Sequence, residues 1–334
     1  MKIKEAIFLL LALFIAGNGV NAQNATQSFA VPSDVSMKTM TYATKDGCAL
    51  QMDIYQQANY TGAPQPVMFF MFAGAFYAGE RSGVEIGYYL GQLAKRGITG
   101  ISIDYRLGWK DAFKDKPEDY GMIEKLLDAV QDTRLMQKTF DMPVEDLYTA
   151  TNFVIKHAKE LNIDPSRIMI SGSSAGAMSA LRAEYFLKSG NPLAKVLPKG
   201  FTYKGVLSFA GAIYSNQGKP EYTQSPAPTL FIHGTKDIVL RYKGIRFLKE
   251  GLYAPKMLIK EYKKNDYPYS LVLLRGAGHG EACGDALINN FEDAWKFIRE
   301  YVYGGKKESE ERTQKYSRKT ALYKKEQSQE ISFF

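Results

Sequence analysis

The sequence predicts an α/β fold, a mostly parallel central sheet with helices on both faces, and three observations lead there. Short apolar runs of strand length alternate with amphipathic stretches at helical spacing. The strand runs are apolar throughout rather than at every second position, the pattern of strands buried on both faces. No internal repeat or long linker interrupts the alternation, so residues 23–304 read as one domain.

The first strand run is PVMFFMFAG (66–74) and the second ITGISIDYRL (98–107). Ile123, Leu126, Leu127 and Val130 then recur at helical spacing, and Leu147, Val154, Ile155, Ala158 and Leu161 repeat the pattern. RIMISG (167–172) is a strand, and AGAMSALRAEYFL after it reads as a helix. KGVLSFAG (204–211), PTLFIHG (228–234) and YSLVLLRG (269–276) are further strands, and FEDAWKFIREYV is a closing helix.

The two ends differ from this core. The N-terminus carries Lys2 and Lys4, an apolar run from Ala6 to Ala16 and the small-residue cleavage pattern Val20-Asn21-Ala22, so residues 1–22 read as a signal peptide. An uncleaved anchor is the alternative, but the run is shorter than the roughly 20 residues a spanning helix needs. An exported protein, periplasmic or secreted, with no stable membrane insertion after cleavage is expected. Residues 305–334 are mixed in charge and poor in branched apolar residues, which reads as a mobile tail.

Part of the net charge of +8 lies in these ends, and no interleaved basic and aromatic stripe accompanies it, which argues against a nucleic-acid partner. Cys48 and Cys283 are too few for a disulfide scaffold and read as structural thiols, their pairing left open by sequence. With three histidines and no Cys/His cluster at metal spacing, neither metal nor cofactor is implied.

In open α/β sheets, ligands bind beyond the carboxyl ends of the strands. There the chain carries Gly172-Ser173-Ser174-Ala175-Gly176, a G-x-S-x-G pattern between a strand and a helix, with Ser174 at its centre and Ser173 at the variable position. A nucleophile on so sharp a turn needs tiny neighbours, and glycines meet that need. A serine hydroxyl also needs a base and an acid to orient it. His157 falls within a helix and reads as a helix-face residue; His233 ends a strand and reads as packed or bonded to backbone. His279, in the glycine-rich loop RGAGHGEACG, is free to reach the site, and Asp237 follows the strand PTLFIHG. Ser174, Asp237 and His279 are the candidate catalytic triad, in the order nucleophile, acid, histidine. The oxyanion of an acyl-transfer intermediate needs backbone N–H donors, each worth about 2.7 to 4 kcal/mol of barrier. Ala175 N–H is one candidate and the FAGAF loop (72–76) supplies the rest.

Together these segments resemble the esterases of the α/β-hydrolase superfamily, specifically the hormone-sensitive-lipase-like and carboxylesterase-like branch, over about residues 45 to 303. MFFMFAGAF resembles the HGGGF oxyanion segment, SIDYRL a strand and turn, NIDPSRIMISGSSAGAMSA the nucleophile elbow, LFIHGTKDIV the acid loop and GAGHG the histidine loop. The resemblance implies an α/β-hydrolase fold and backbone donors at Gly74 and Ala75. Phe72 stands where that family has His, and Ala73 and Ala75 replace glycines; alanine at 75 is strained if the position requires a positive φ. The stretch 108–146 is longer than the usual link and is expected to carry a cap or rim insertion. With 212–224 it would frame the pocket, and Tyr77, Glu80 and Arg81 would line its rim. The expected activity is an exported serine hydrolase cleaving carboxylic esters through an acyl-enzyme, on a small-molecule or carbohydrate-linked substrate, acetyl and aromatic acyl groups among the candidates. An amidase or peptidase on the same fold, and a silent binding scaffold, are the alternatives.

Overall fold

A computed structural model describes residues 32–110 and 131–317. The segment 1–22 expected to be a signal peptide, residues 111–130 of the expected rim insertion with the helix predicted around Ile123–Val130, and residues 318–334 of the tail lie outside the described residues. Among the described residues no helix is long and apolar enough to cross a membrane.

A nine-stranded sheet runs β1-β2-β4-β3-β5-β6-β8-β11-β12. Its first two strands, β1 (Val35–Lys45) and β2 (Cys48–Gln57), form an antiparallel hairpin. Asp46 and Gly47, both at positive φ, make its two-residue turn. Asp-Gly is the residue pair such a turn favours, and this hairpin lies outside the strands expected from continuous apolar runs. β2 pairs antiparallel with β4 (Thr99–Ile103). From there β3 (Gln65–Met71), β5 (Ile163–Ser173), β6 (Val206–Phe209), β8 (Thr229–Gly234) and β11 (Tyr269–Arg275) are parallel. Every residue of β3, β4, β6 and β8 is buried, so both faces are covered, as continuous apolarity required.

Helix α1 (Val84–Lys95), absent from the sequence prediction, packs on β2 and β4. Helix α2 spans Thr133–Lys156, and α3 (Ala175–Ser189) packs on β3, β5 and β6 and against α2. Arg182 of α3 ties these layers together. Its guanidinium pairs with Asp141 Oδ1 of α2 at 2.7 Å, donates to Tyr214 O and lies over the Phe186 ring. A small second sheet joins β7 (Ile213–Ser215), β10 (Glu250–Tyr253) and β9 (Ile245–Phe247). Helix α4 (Pro255–Lys264) follows β10, and after β11 come a π-helical turn, Glu281–Asp285, and the short helices α5 (Ala286–Asn289) and α6 (Phe291–Phe297).

Two expectations are corrected. The stretch 108–146 is not an insertion throughout: from Thr133 it is the first half of α2, started by Asp132, whose side chain accepts from Arg134 N–H and Leu135 N–H. Residues 305–317 are not a free tail either, because β12 (Glu310–Lys315) adds a parallel strand to β11 in register Ser270↔Glu310 to Arg275↔Lys315. Its charge disguised it. Glu310 pairs with Lys296 at 2.9 Å and Lys306 at 3.0 Å, Glu311 with Lys263 at 2.7 Å, and Arg312 with Asp293, so a charged edge strand is both satisfied and protected from further pairing.

Candidate active site

The carboxyl end of β5 delivers Ser174 on a strained turn. Its φ of 49° and ψ of −114° lie where L-residues are rarely found, and the flanking glycines make the turn possible. A Cβ on Gly172 would stand 2.4 Å from the Gly176 carbonyl carbon, and one on Gly176 2.0 Å from Met71 O. Ser174 N–H donates to Phe209 O at 2.9 Å, and the residue is the N-cap of α3.

β8 and β11 supply the other two groups. Ser174 Oγ lies 2.7 Å from His279 Nε2, and His279 Nδ1 lies 2.7 Å from Asp237 Oδ2. Asp237 Oδ1 accepts from Val239 N–H at 2.9 Å and Leu240 N–H at 2.8 Å, which fixes the carboxylate and leaves Oδ2 for the imidazole. With Oδ2 accepting, Nδ1 carries the proton and Nε2 accepts from the serine hydroxyl. Ser174 and Asp237 are buried, and the His279 side chain is 11% exposed, so the line of three is shielded from water on most sides.

The remaining histidines take other places. His157 caps α2, bonds Phe153 O at 2.9 Å through Nδ1 and stacks on the Phe153 ring. His233 is fully buried, and its Nε2–H donates to Leu240 O at 2.6 Å while standing 3.4 Å from Asp237 Oδ2. Burial lowers its pKa, so it stays neutral and leaves the carboxylate's charge to His279. Ser173 is not idle: its hydroxyl donates to Cys283 O at 2.6 Å, a contact for which the sequence carried no signal.

The loop after β3 is held by aromatic stacking in place of the absent histidine. Phe72 stacks on Tyr105 with ring centroids 4.2 Å apart, and Tyr105 OH donates to Phe72 O at 2.8 Å. Gly79 completes the packing, since a Cβ there would strike Ala73 O at 2.3 Å and the Phe72 ring at 2.6 Å. Gly74 takes φ 147°, with Ala78 O 1.7 Å from where a Cβ would lie; its own carbonyl accepts from Tyr77 N–H and Ala78 N–H, each at 3.0 Å. Among the described residues the N–H groups of Gly74, Ala75 and Ala175 donate to no protein acceptor. Phe76 packs edge-on against Phe140, which stacks on Tyr214, and Trp109 N–H donates to Phe76 O at 3.2 Å. Sequence reading did not single out this aromatic wall, whose members come from four separate segments.

Ala75 does adopt a positive φ, 52°. An L-residue in this region costs about 1 to 2 kcal/mol, so Ala75→Gly is expected to raise the unfolding free energy by about 1 kcal/mol in urea titrations. Unchanged or lower stability would show that the loop relaxes without strain.

The expected rim residues separate. Arg81 ties the loop to the scaffold: its guanidinium pairs with Asp53 at 3.0 Å and Asp104 at 2.9 Å and donates to Gln51 Oε1 at 3.1 Å, which joins the loop to β2 and the end of β4. Tyr77 is half-buried against the core, and Glu80 is exposed. Cys48 and Cys283 are both free thiols, and burial pushes the Cys283 thiol up to about 12.

Known proteins repeat this architecture. The BD-FAE family model matches residues 129–192, the stretch that includes α2 and the nucleophile turn. A thermophilic esterase of Thermogutta terrifontis with propionate bound superposes with TM-score 0.59 at 21% identity, covering 80% of this chain and 95% of that one. Its apo form gives TM-score 0.57 at 20% identity, over 82% of this chain and 96% of that chain. Among curated proteins, a bifunctional acetylxylan esterase/xylanase of Neocallimastix patriciarum is 23% identical over 182 residues, 48% of this chain and 24% of that protein. A probable isoprenylcysteine alpha-carbonyl methylesterase of Arabidopsis thaliana is 30% identical over 128 residues, 38% of this chain and 20% of that protein. The matches span a quarter or less of these two relatives' lengths. Sheet order, nucleophile turn and these likenesses together show that the chain has the α/β-hydrolase fold.

Proposed function

We propose that the protein is an exported serine hydrolase of carboxylic esters, with Ser174, His279 and Asp237 as its catalytic triad. The observation that carries this reading is the unbroken line from Ser174 Oγ through both imidazole nitrogens to Asp237 Oδ2, with 2.7 Å at each junction. His279 takes the serine proton as Oγ attacks the ester carbonyl, and the resulting oxyanion is met by the N–H groups of Gly74, Ala75 and Ala175. The imidazolium, stabilised by Asp237, returns the proton to the leaving alcohol. Water, deprotonated by the same histidine, then releases the acid from Ser174. No step calls on a cofactor.

The names of the relatives support ester over amide substrates, and the acetylxylan esterase supports acyl groups on carbohydrate. The N-terminal signal pattern agrees with a polysaccharide substrate outside the cytoplasm. The test compares p-nitrophenyl acetate, p-nitroacetanilide and acetylated xylan, together with labelling by a fluorophosphonate probe. Ester turnover well above anilide turnover, with the label on Ser174, is expected. Faster anilide cleavage would make the protein an amidase, and absence of both turnover and label would make it a binding scaffold.

A further inference from the structure

We propose that the C-terminal strand, through Tyr316, positions His279. The inference rests on His279 serving as the base. The loop from Gly276 to Gly284 has glycine at four of its nine positions, and His279 is only the first residue of the helical run that continues into the Glu281–Asp285 turn, so the stretch that delivers it has wide conformational freedom by itself. An imidazole carried on such a loop must be held from outside, because a misplacement of about 1 Å costs roughly 100-fold in rate.

The structure supplies holds from two directions. On the side of the nucleophile, Ser173 Oγ donates to Cys283 O at 2.6 Å, while in the acid loop Lys236 N–H donates to Ala277 O at 2.8 Å and Thr235 Oγ1 accepts from Gly276 N–H at 2.9 Å. Within the loop, Gly278 N–H donates to Glu281 Oε2 at 3.0 Å. On the far side stands the C-terminal segment. The β11–β12 ladder ends at Arg275↔Lys315, where the histidine loop begins. Tyr316 then donates its N–H to Arg275 O at 3.0 Å and its hydroxyl to Asp285 Oδ2 at 2.5 Å. One residue thus grips the strand that enters the loop and the turn that leaves it, and its hydroxyl bond to a carboxylate is of the strong, charge-assisted kind. His279 lies between the two grips. Tyr316 acts on His279 through the backbone it fixes.

The experiment uses the full chain with Tyr316→Phe, which keeps the ring and removes the hydroxyl. The expected result is a kcat on p-nitrophenyl acetate about 10-fold lower at unchanged KM and unchanged unfolding midpoint. Asp285→Ala should match it, Asp285→Asn, which keeps an acceptor oxygen, should restore most of the rate, and the Tyr316→Phe/Asp285→Ala pair should add nothing further. The downfield proton resonance of His279 Nδ1–H, assigned by its loss in His279→Gln, should broaden in Tyr316→Phe. A variant with wild-type kcat and an unchanged resonance would overturn the proposal, and so would a rate loss that only tracks a lower unfolding midpoint. If the wild-type protein cleaves no ester, the esterase reading fails, and the resonance alone decides the positioning.

Discussion

Ser174→Ala is expected to lower kcat on p-nitrophenyl acetate by about 10⁶, and Asp237→Asn by about 10⁴, with neither change altering the fold. The second number follows from the way the acid is held. Two backbone N–H groups, from Val239 and Leu240, converge on Oδ1, so an asparagine in this place keeps its carbonyl oxygen toward them. Its amide nitrogen then faces His279 Nδ1, where Oδ2 now accepts at 2.7 Å. Two donors cannot meet, and the imidazole shifts to the tautomer with hydrogen on Nε2, which faces Ser174 Oγ and can no longer take its proton. His233, whose own Nε2–H is committed to Leu240 O, offers no substitute. Because the three groups act as one unit, Ser174→Ala/Asp237→Asn should be no slower than Ser174→Ala alone. Retention of more than about a tenth of wild-type kcat by Asp237→Asn would mean that Asp237 does not set the tautomer.

Glu184→Gln is expected to flatten the pH dependence of stability between pH 5 and pH 8 by roughly 3 kcal/mol. Glu184 lies fully buried in α3, ten residues beyond the nucleophile; its Oε1 accepts from Ala227 N–H at 2.7 Å, and Oε2 has no partner among the described residues. Burial raises its pKa from 4.5 to about 7, with Ala227 N–H and the Lys188 ammonium pulling the other way. A carboxyl whose folded pKa is raised contributes stability that is complete below its unfolded pKa and is lost as pH rises through the folded one. The loss therefore falls between about pH 4.5 and 7. Glutamine keeps an acceptor for Ala227 N–H and never ionises. Urea titrations of both proteins at pH 5 and pH 8 measure the difference. His233, with its pKa lowered, has the opposite trend, destabilising the fold as pH falls, and it cancels when variant and wild type are subtracted. Parallel pH profiles would mean that Glu184 titrates in the folded protein as it does in the unfolded chain.

Much of the site was legible because its chemistry is written into short segments. The nucleophile turn needs glycine at 172 and 176 for reasons of space alone, and the structure gives those reasons as contacts with Gly176 and Met71 backbone. Strand burial was legible for a similar reason: residues covered on both faces must be apolar at every position, as all of β3 is. Where polar residues carried structure the reading failed. The six residues of β12 are all charged or polar and carry no apolar mark of a strand, and the ion pairs of Arg81 join segments that lie far apart in the chain.

What the sequence by itself determined is the order of the buried strands β3, β4, β5, β6, β8 and β11, the sharp turn at Ser174 and the candidate set Ser174, Asp237 and His279, since each rests on local sterics, on runs of apolar residues or on a short motif beyond a strand end. Only the tertiary structure decided that Phe72 and Tyr105 hold the loop a histidine would hold, and that Arg81, Ser173 and Tyr316 brace the scaffold. Those contacts join residues far apart in the chain. Their formation depends on strand order, which brings β5, β8 and β11 to one end of the sheet, and polar side chains carry no periodic mark of where their partners will lie.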